Sequence, residues 1–313
     1  MVDVLIFTNA LLIASLLSLL TVGLTLTYLT TKVPNFAHGS FATVGIYTGL
    51  ATAELFKQNI YYGLIPGFLL GGLTAVIQYV AVLRPLTKRN ASITTLMVAT
   101  IAFDILLVSI LNIFADYLQN AFRLQSRNFL LAPYDFTFAG IRGIVIVAPI
   151  LVVASVVSLY VLLTKTKLGI AMRATIENPP LAGTVGINTS SVYIISWFIA
   201  GGLAGMAGSI IPLWYISSTT VGDTYFLISI FAAAVVGGLY NIYGAVIGGF
   251  VVGVAQSVII RVLADSWGSW VIPYEPLIPL AAMVITLMIA PRGITGINFQ
   301  ELKKKIRRHR NAG

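Results

Sequence analysis

Apolar residues run along the chain in long charge-free stretches: 4–31, 33–53, 58–83, 143–164, 178–222, 224–260 and 276–291, with a further stretch, 93–115, interrupted only by Asp104. A helix that crosses a bilayer takes about 20 apolar residues. The two longest stretches therefore hold more than one crossing each, divided by turns at 211–223 and 241–244. The pattern predicts an all-α polytopic membrane protein with about nine transmembrane helices, in a range of about eight to ten, some of them broken or re-entrant. Composition agrees: 58% of the residues are hydrophobic and 9% charged, against roughly 25% charged in a soluble protein. Stretch 4–31 exceeds the roughly 7–15 residues of a signal-peptide core and lacks a basic leader, so it is expected to remain as the first crossing.

Charge then orients the helices. With the amino terminus outside and nine crossings, the inner segments collect Lys32; Arg84, Lys88 and Arg89; Lys165, Lys167 and Arg173; and Arg292 with the basic tail 303–310. The outer segments collect Asp3, Glu54, Asp116, Asp135, Asp223, Asp265 and Glu275. Lysine and arginine favour the cytosolic side, so this orientation is the expected one, and the net charge of +9 is a topology signal. Tail 292–313 is expected to be cytosolic and to meet anionic membrane lipid rather than nucleic acid. The whole chain, 1–313, reads as one transmembrane domain with an external loop at 116–142 and a cytosolic loop at 165–190. The aromatic residues of the external loop suit a hairpin or short helix packed on the rim, or a plain connector.

Enzyme chemistry has no visible equipment. There is no cysteine, which excludes thiol catalysis and cysteine metal sites. His38 is the lone histidine outside the tail, no serine–histidine–acid set or carboxylate pair lies at workable spacing, and no phosphate-binding G-x-x-x-x-G-K-[ST] loop occurs. No catalytic residue, metal site or cofactor is expected. Glycines recur at four-residue spacing at 45/49, 63/67/71, 201/205, 244/248 and 249/253, which lets helices approach closely, inside the chain or across a dimer face. Segments 34–39 and 237–244 set helix-breaking residues beside apolar runs, either as interfacial turns or as broken helices at a substrate site. Asp104 would cost about 2.5–3.5 kcal/mol at a helix centre, so it must face protein or water. Its near company is Ser92, Thr94, Thr95 and Thr100, and a structural carboxylate and a proton relay both remain open.

Loop 165–190 keeps an ordered, amphipathic pattern between two apolar runs, which suits a docking surface. With Val33-Pro34-Asn35-Phe36-Ala37-His38-Gly39-Ser40-Phe41 and Gly45-Ile46-Tyr47, Arg84-Pro85-Leu86, Thr166-Lys167-Leu168-Gly169 through Gly186-Ile187-Asn188, Ala200 to Gly208, and Gly237-Gly238 to Gly253, the chain resembles LivH-type permeases of branched-chain amino acid ABC importers. The motifs stand in that family's order across about two thirds of the chain. The resemblance implies a non-enzymatic, pore-forming half in the cell membrane, partnered by a LivM-type second permease, two cytosolic ABC ATPases and an external substrate-binding protein. It places the ATPase-coupling helix at 167–188, with Lys167, Gly169, Arg173, Glu177, Asn178 and Gly186 as its residues. Ile170, Ala174 and Ile176 would enter a groove on the ATPase, Gly169 and Pro179 would punctuate the helix, and Arg173 and Glu177 would pair at i,i+4. Asn35, His38, Ser40 and Asp104 are the candidates for the translocation path, with Phe36 and Phe41 as apolar neighbours. Asp104 and Tyr240-Asn241-Ile242-Tyr243 depart from the family's small-residue pattern and leave the substrate open: related scaffolds carry urea, short amides or other amino acids. An ion- or proton-coupled secondary transporter using Asp104, and a purely structural subunit, are the rival classes.

Overall fold

A computed structural model describes the backbone of residues 2–296 and the side chains of residues 6–296. The chain is helical apart from loops and one small hairpin. In order it forms α1 (Val2–Thr31), α2 (His38–Leu50), α3 (Leu64–Gln78), α4 (Arg84–Lys88), α5 (Ile93–Phe122), α6 (Gly143–Lys165), α7 (Lys167–Glu177), α8 (Pro179–Thr184), α9 (Thr189–Ile210), α10 (Leu227–Gly237), α11 (Ile242–Trp267) and α12 (Leu277–Ile289). A π-helical turn, Ala51–Leu55, extends α2, another, Tyr79–Leu83, joins α3 to α4, and a third, Gly222–Phe226, leads into α10. Among the described residues seven helices are long and apolar enough to cross a membrane: Ile6–Thr31, Ile60–Lys88, Ile93–Phe122, Gly143–Lys165, Thr189–Leu213, Ile242–Trp267 and Leu277–Gly296. Two further helical segments, 38–55 and the shorter apolar 222–237, are not among these seven, against the nine crossings expected.

Helix α1 is apolar on every face, and a helix of that kind belongs in the interior. It forms the centre of the bundle, with Leu12, Leu16, Leu17, Leu20 and Leu24 almost inaccessible. Most of its hydroxyls return to its own backbone, as Ser18 does to the Ala14 carbonyl at 2.7 Å and Thr21 to Leu17 at 2.6 Å, while Asn9 Oδ1 and Thr25 Oγ1 are buried without a partner. The packing has a crossed plan. α1 lies against α10 and α11, while α9 lies against α2 and α3, and α1 and α9 meet each other. A long helix, a short one and a long one thus recur as α1–α2–α3 and α9–α10–α11, each leading helix packed on the other group's trailing pair.

The recurring glycines are what allow these contacts. A Cβ on Gly45 would overlap the Gly205 carbonyl, and one on Gly248 the Ala233 carbonyl. The glycine faces are thereby used between helices of this chain. α5 and α12 stand at the periphery with mostly open surfaces.

Loop 116–142 is a built structure. α5 runs on to Phe122, a 3-10 turn spans Ala132–Tyr134, and β1 (Thr137–Phe138) pairs with β2 (Ile141–Arg142) around Ala139 and Gly140, both at positive φ. Phe129 bridges Ser217, Tyr47 Oη donates to the Ser126 carbonyl at 2.7 Å, Tyr61 Oη to Asp135 at 2.6 Å, and the Arg142 guanidinium to the Leu213 carbonyl. Tyr134 Oη donates to Glu54 at 2.6 Å, and that bond, ahead of burial, raises the Tyr134 phenol above its ordinary range. Exposed Trp267, Trp270 and Tyr274 mark an interfacial aromatic belt at this end of the bundle.

Candidate functional site

The site begins where α1 stops. After Thr31 the chain turns through Lys32, at φ 56°, and climbs back to open α2 at His38. His38 Nε2 lies 2.9 Å from the Leu20 carbonyl oxygen, which requires the ring proton on that nitrogen. Leu20 is about 16 Å along α1 from Thr31, at about 1.5 Å per residue, so α2 starts deep in the bundle. α10 is its counterpart: the chain descends through 214–220 and becomes helical again near Gly222. The two starts touch at Gly39 and Gly222, where any side chain would collide with the facing backbone and with Asp223 Oδ1. Ala37 gives α2 no side-chain cap, so its first amides and the positive end of its dipole face this contact.

Acidic groups gather there. Ser40, fully buried, has Asp104 Oδ1 of α5 at 2.6 Å and Asp223 Oδ2 at 2.9 Å from its Oγ. One hydroxyl proton serves one acceptor, so the second contact is a hydrogen bond only when that carboxyl carries a proton. A turn nearer the Ile93 end of α5, Thr100 Oγ1 accepts the Phe36 N–H at 3.2 Å. Asn35 Oδ1 accepts from Gln78 Nε2 of α3 at 2.9 Å and from the Ala37 N–H at 3.2 Å, leaving Asn35 Nδ2 and Gln78 Oε1 buried without a partner. Residues 35–40 are therefore held by α1, α3, α5 and the start of α10 together.

Of the four path candidates, Ser40 and Asp104 come into direct contact, Asn35 joins them through its segment, and His38 is packed into the core against α1. Three expectations are corrected. Asp223, counted with the outer acidic residues, belongs to the buried cluster. Phe41 is fully buried with its ring 5.7 Å from that of His38, so it is a core residue, whereas Phe36 stacks on Phe231 of α10 at 5.1 Å. Ser92 caps α5 by accepting the Thr95 N–H at 3.2 Å and takes no part in the setting of Asp104.

A cleft of about 460 Å³ opens further along α2, walled by Val44, Tyr47 and Thr48 of α2, Leu70 of α3, and Leu111 and Phe114 of α5. Val44 and Thr48 follow Ser40 at successive four-residue steps, and Leu111 follows Asp104 by two turns, so both walls carry the faces that end in the acidic cluster. The cleft is apolar in its lining and reaches on to Phe56, Gln58 and Tyr62, and Ser40, Asp104 and Asp223 lie outside it.

A second feature lies at the end of the bundle that carries Lys32, Arg84, Lys165 and Arg292. Thr166 caps α7 by accepting the Gly169 N–H at 3.0 Å, and Asn178 ends it and caps α8 by accepting the Leu181 N–H at 3.1 Å. Gly169 does not punctuate the helix. It sits inside α7, where a Cβ would collide with Leu162 and Leu163 of α6. Met172 and Thr175 are fully buried beneath α7, while Ile170, Leu181 and Val185 stand 57%, 60% and 70% exposed. Ala174 and Ile176 are half-buried, and the ion pairs among the described residues do not include Arg173 with Glu177. Gly186, at φ 85°, turns the chain towards Asn188, which caps α9.

Residues 6–289 match the family described as the branched-chain amino acid transport system / permease component. The chain belongs to this family. The permease is 43% identical over 296 residues to a probable branched-chain amino acid transport permease protein LivH of Methanocaldococcus jannaschii, covering 95% of this chain and 93% of that one. It is 27% identical to the high-affinity branched-chain amino acid transport system permease protein BraD of Pseudomonas aeruginosa and 25% identical to LivH of Escherichia coli, with 92% of the permease and 94% of the relative covered in each case. Among solved structures, PsaBC from Streptococcus pneumoniae in complex with Fab matches with a TM-score of 0.50 at 14% identity, covering 92% of both chains, a likeness of fold.

Proposed function

We propose that this permease is one half of the membrane channel of an ATP-binding-cassette importer of branched-chain amino acids, crossing the cell membrane nine times with 38–55 and 222–237 as short crossings. The observation that carries the reading is the meeting of two broken helices in the bundle at Ser40, Asp104 and Asp223, with an apolar cleft further along α2 and α5. Transporters place substrate contacts where helices break. A branched-chain amino acid brings an ammonium group for the carboxyls, a carboxylate for the uncapped amides of α2, and an aliphatic side chain for the cleft. Asn35 and Asp104 line or position this path, and Asp223 joins them. His38 holds α2 against α1.

The basic end faces the cytosol. There α7 and α8 present Ile170, Leu181 and Val185, with Lys167, Arg173, Glu177 and Asn178 around them, to an ATPase subunit, while buried Met172 and Thr175 transmit its movement to α6 and α9. A LivM-type permease completes the channel, and a binding protein delivers substrate at the end carrying loop 116–142. The basic tail 303–310, expected to touch lipid, lies outside the described residues. Co-purification from native membranes tests this assignment. The permease is expected to bring down two ATPases and a second permease; transport by this chain alone, without ATP, would assign it to the secondary transporters.

A further inference from the structure

Away from the path, between α1, α10, α11 and the 3-10 turn Ser269–Tyr274, lies a small cavity of about 20 Å³. Ile13 and Leu17 of α1 and Phe226 form its apolar side, Tyr225, 54% exposed, borders it, and the rest of its lining is Tyr215, Ser229, Gln256 and Glu275. Three of these make a directed chain. Ser229 Oγ donates to Gln256 Oε1 at 3.0 Å, and Gln256 Nε2 donates to Glu275 Oε1 at 2.8 Å. Ser229 and Gln256 are 1% and 8% exposed. The direction of the chain fixes the Gln256 amide, because the carboxylate only accepts. Once that chain is formed, Ser229 Oγ has a lone pair left, Glu275 has its second oxygen left, and the Tyr215 hydroxyl has no hydrogen-bond partner among the described residues.

We propose that this cavity is a binding site for a single water molecule, held by Tyr215, Ser229 and Glu275, which fastens segment 214–226 to α11 and to the 269–275 cap. The fit is one of size and of hydrogen-bond count. A buried water needs about 10–15 Å³ and two to four polar partners. Here it accepts from Tyr215 Oη and donates to Glu275 Oε2 and Ser229 Oγ, using each remaining group once. A monovalent cation fits worse, because the Gln256 amide turns its N–H groups to the carboxylate that a cation would need. The site matters for position. Asp223 lies between Tyr215 and Ser229 in the chain, so a water that ties both ends of that stretch sets where the start of α10 rests against Ser40.

The test is a map of the assembled wild-type complex in nanodiscs at a resolution that shows ordered water, paired with thermal unfolding of Tyr215→Phe, Glu275→Gln and the double variant. One density peak at hydrogen-bonding distance from Tyr215, Ser229 and Glu275 is expected. The double variant is expected to shift the midpoint by clearly less than the sum of the single shifts, since both act through one molecule. A direct Tyr215–Glu275 hydrogen bond, cation-length contacts with sodium-dependent stability, or additive shifts would overturn the proposal. The wild-type map decides by itself if a variant fails to assemble. Uptake is not the readout, so failure here leaves the importer assignment untouched.

Discussion

Gly45 carries more of the fold than any side chain beside it, because α2 and α9 meet through bare backbone at this point. A Cβ there would overlap the Gly205 carbonyl, so Gly45→Val forces two central helices apart, an overpacking effect of about 1–3 kcal/mol or more. Thermal unfolding of the purified complex should fall markedly, while Gly183→Ala, with open space around it, should leave the midpoint unchanged. The sequence announced these glycines through their spacing, but not which helix each one met. It also pointed to Asn35, His38 and Ser40, through the helix-disturbing Pro34 and Gly39 beside them, and to Asp104, since a carboxylate inside an apolar run is costly unless it faces protein or water. Asp223 was missed for a physical reason: hydropathy reads an acid between two apolar runs as a loop residue, and it does not register a chain that enters the bundle before its helix begins. The one available signal was the pair Gly222-Asp223 opening a helix too short to cross, an echo of Gly39-Ser40.

At the scale of elements, α7 shows what a pattern can and cannot give. Its helical pattern was legible from residue types, although the coupling helix expected over 167–188 ends at Glu177 and a second helix starts at Pro179. Its buried face was not, because Gly169 works through a neighbour, the end of α6, that no local pattern names. The structure separates two kinds of substitution. Gly169→Val should push α7 off α6 and lower the coupling of ATP hydrolysis to uptake with the ATPases still bound. Ile170→Asp, on the exposed face, should instead weaken ATPase binding with the permease correctly inserted, a loss of about tenfold in affinity if about 1.4 kcal/mol of contact disappears. Pull-down and ATPase assays on the two variants separate these outcomes, and equal behaviour would show that α7 acts as a plain connector. Loop 116–142, an open question in the sequence, proves anchored because aromatic hydroxyls from α2 and the turn before α3 reach it, and such contacts leave no periodic trace.

For the whole molecule, the crossed packing of α1–α2–α3 and α9–α10–α11 explains why the first apolar run is the most buried element rather than a peripheral span. Hydropathy located that run but held no information on its neighbours. Orientation rests on the distribution of lysine and arginine. Single cysteines at Lys88 and Arg173, both exposed, should stay unlabelled by an impermeant thiol reagent in intact cells and become reactive in inverted vesicles, while one at Gln125 should show the reverse. Labelling of position 173 from outside would reverse the orientation and remove the ATPase-docking role of α7 and α8.

The central claim is that substrate passes where α2 and α10 begin, past Ser40, Asp104 and Asp223, under the power of partner ATPases. Its most direct test is uptake of radiolabelled leucine into proteoliposomes that hold the complete complex and its binding protein, with ATP supplied to the basic end. Uptake should require ATP, and Asp104→Asn combined with Asp223→Asn should slow it by at least about tenfold, the effect of about 1.4 kcal/mol, with the ATPases still bound. Uptake by the double variant at the wild-type rate would contradict the account.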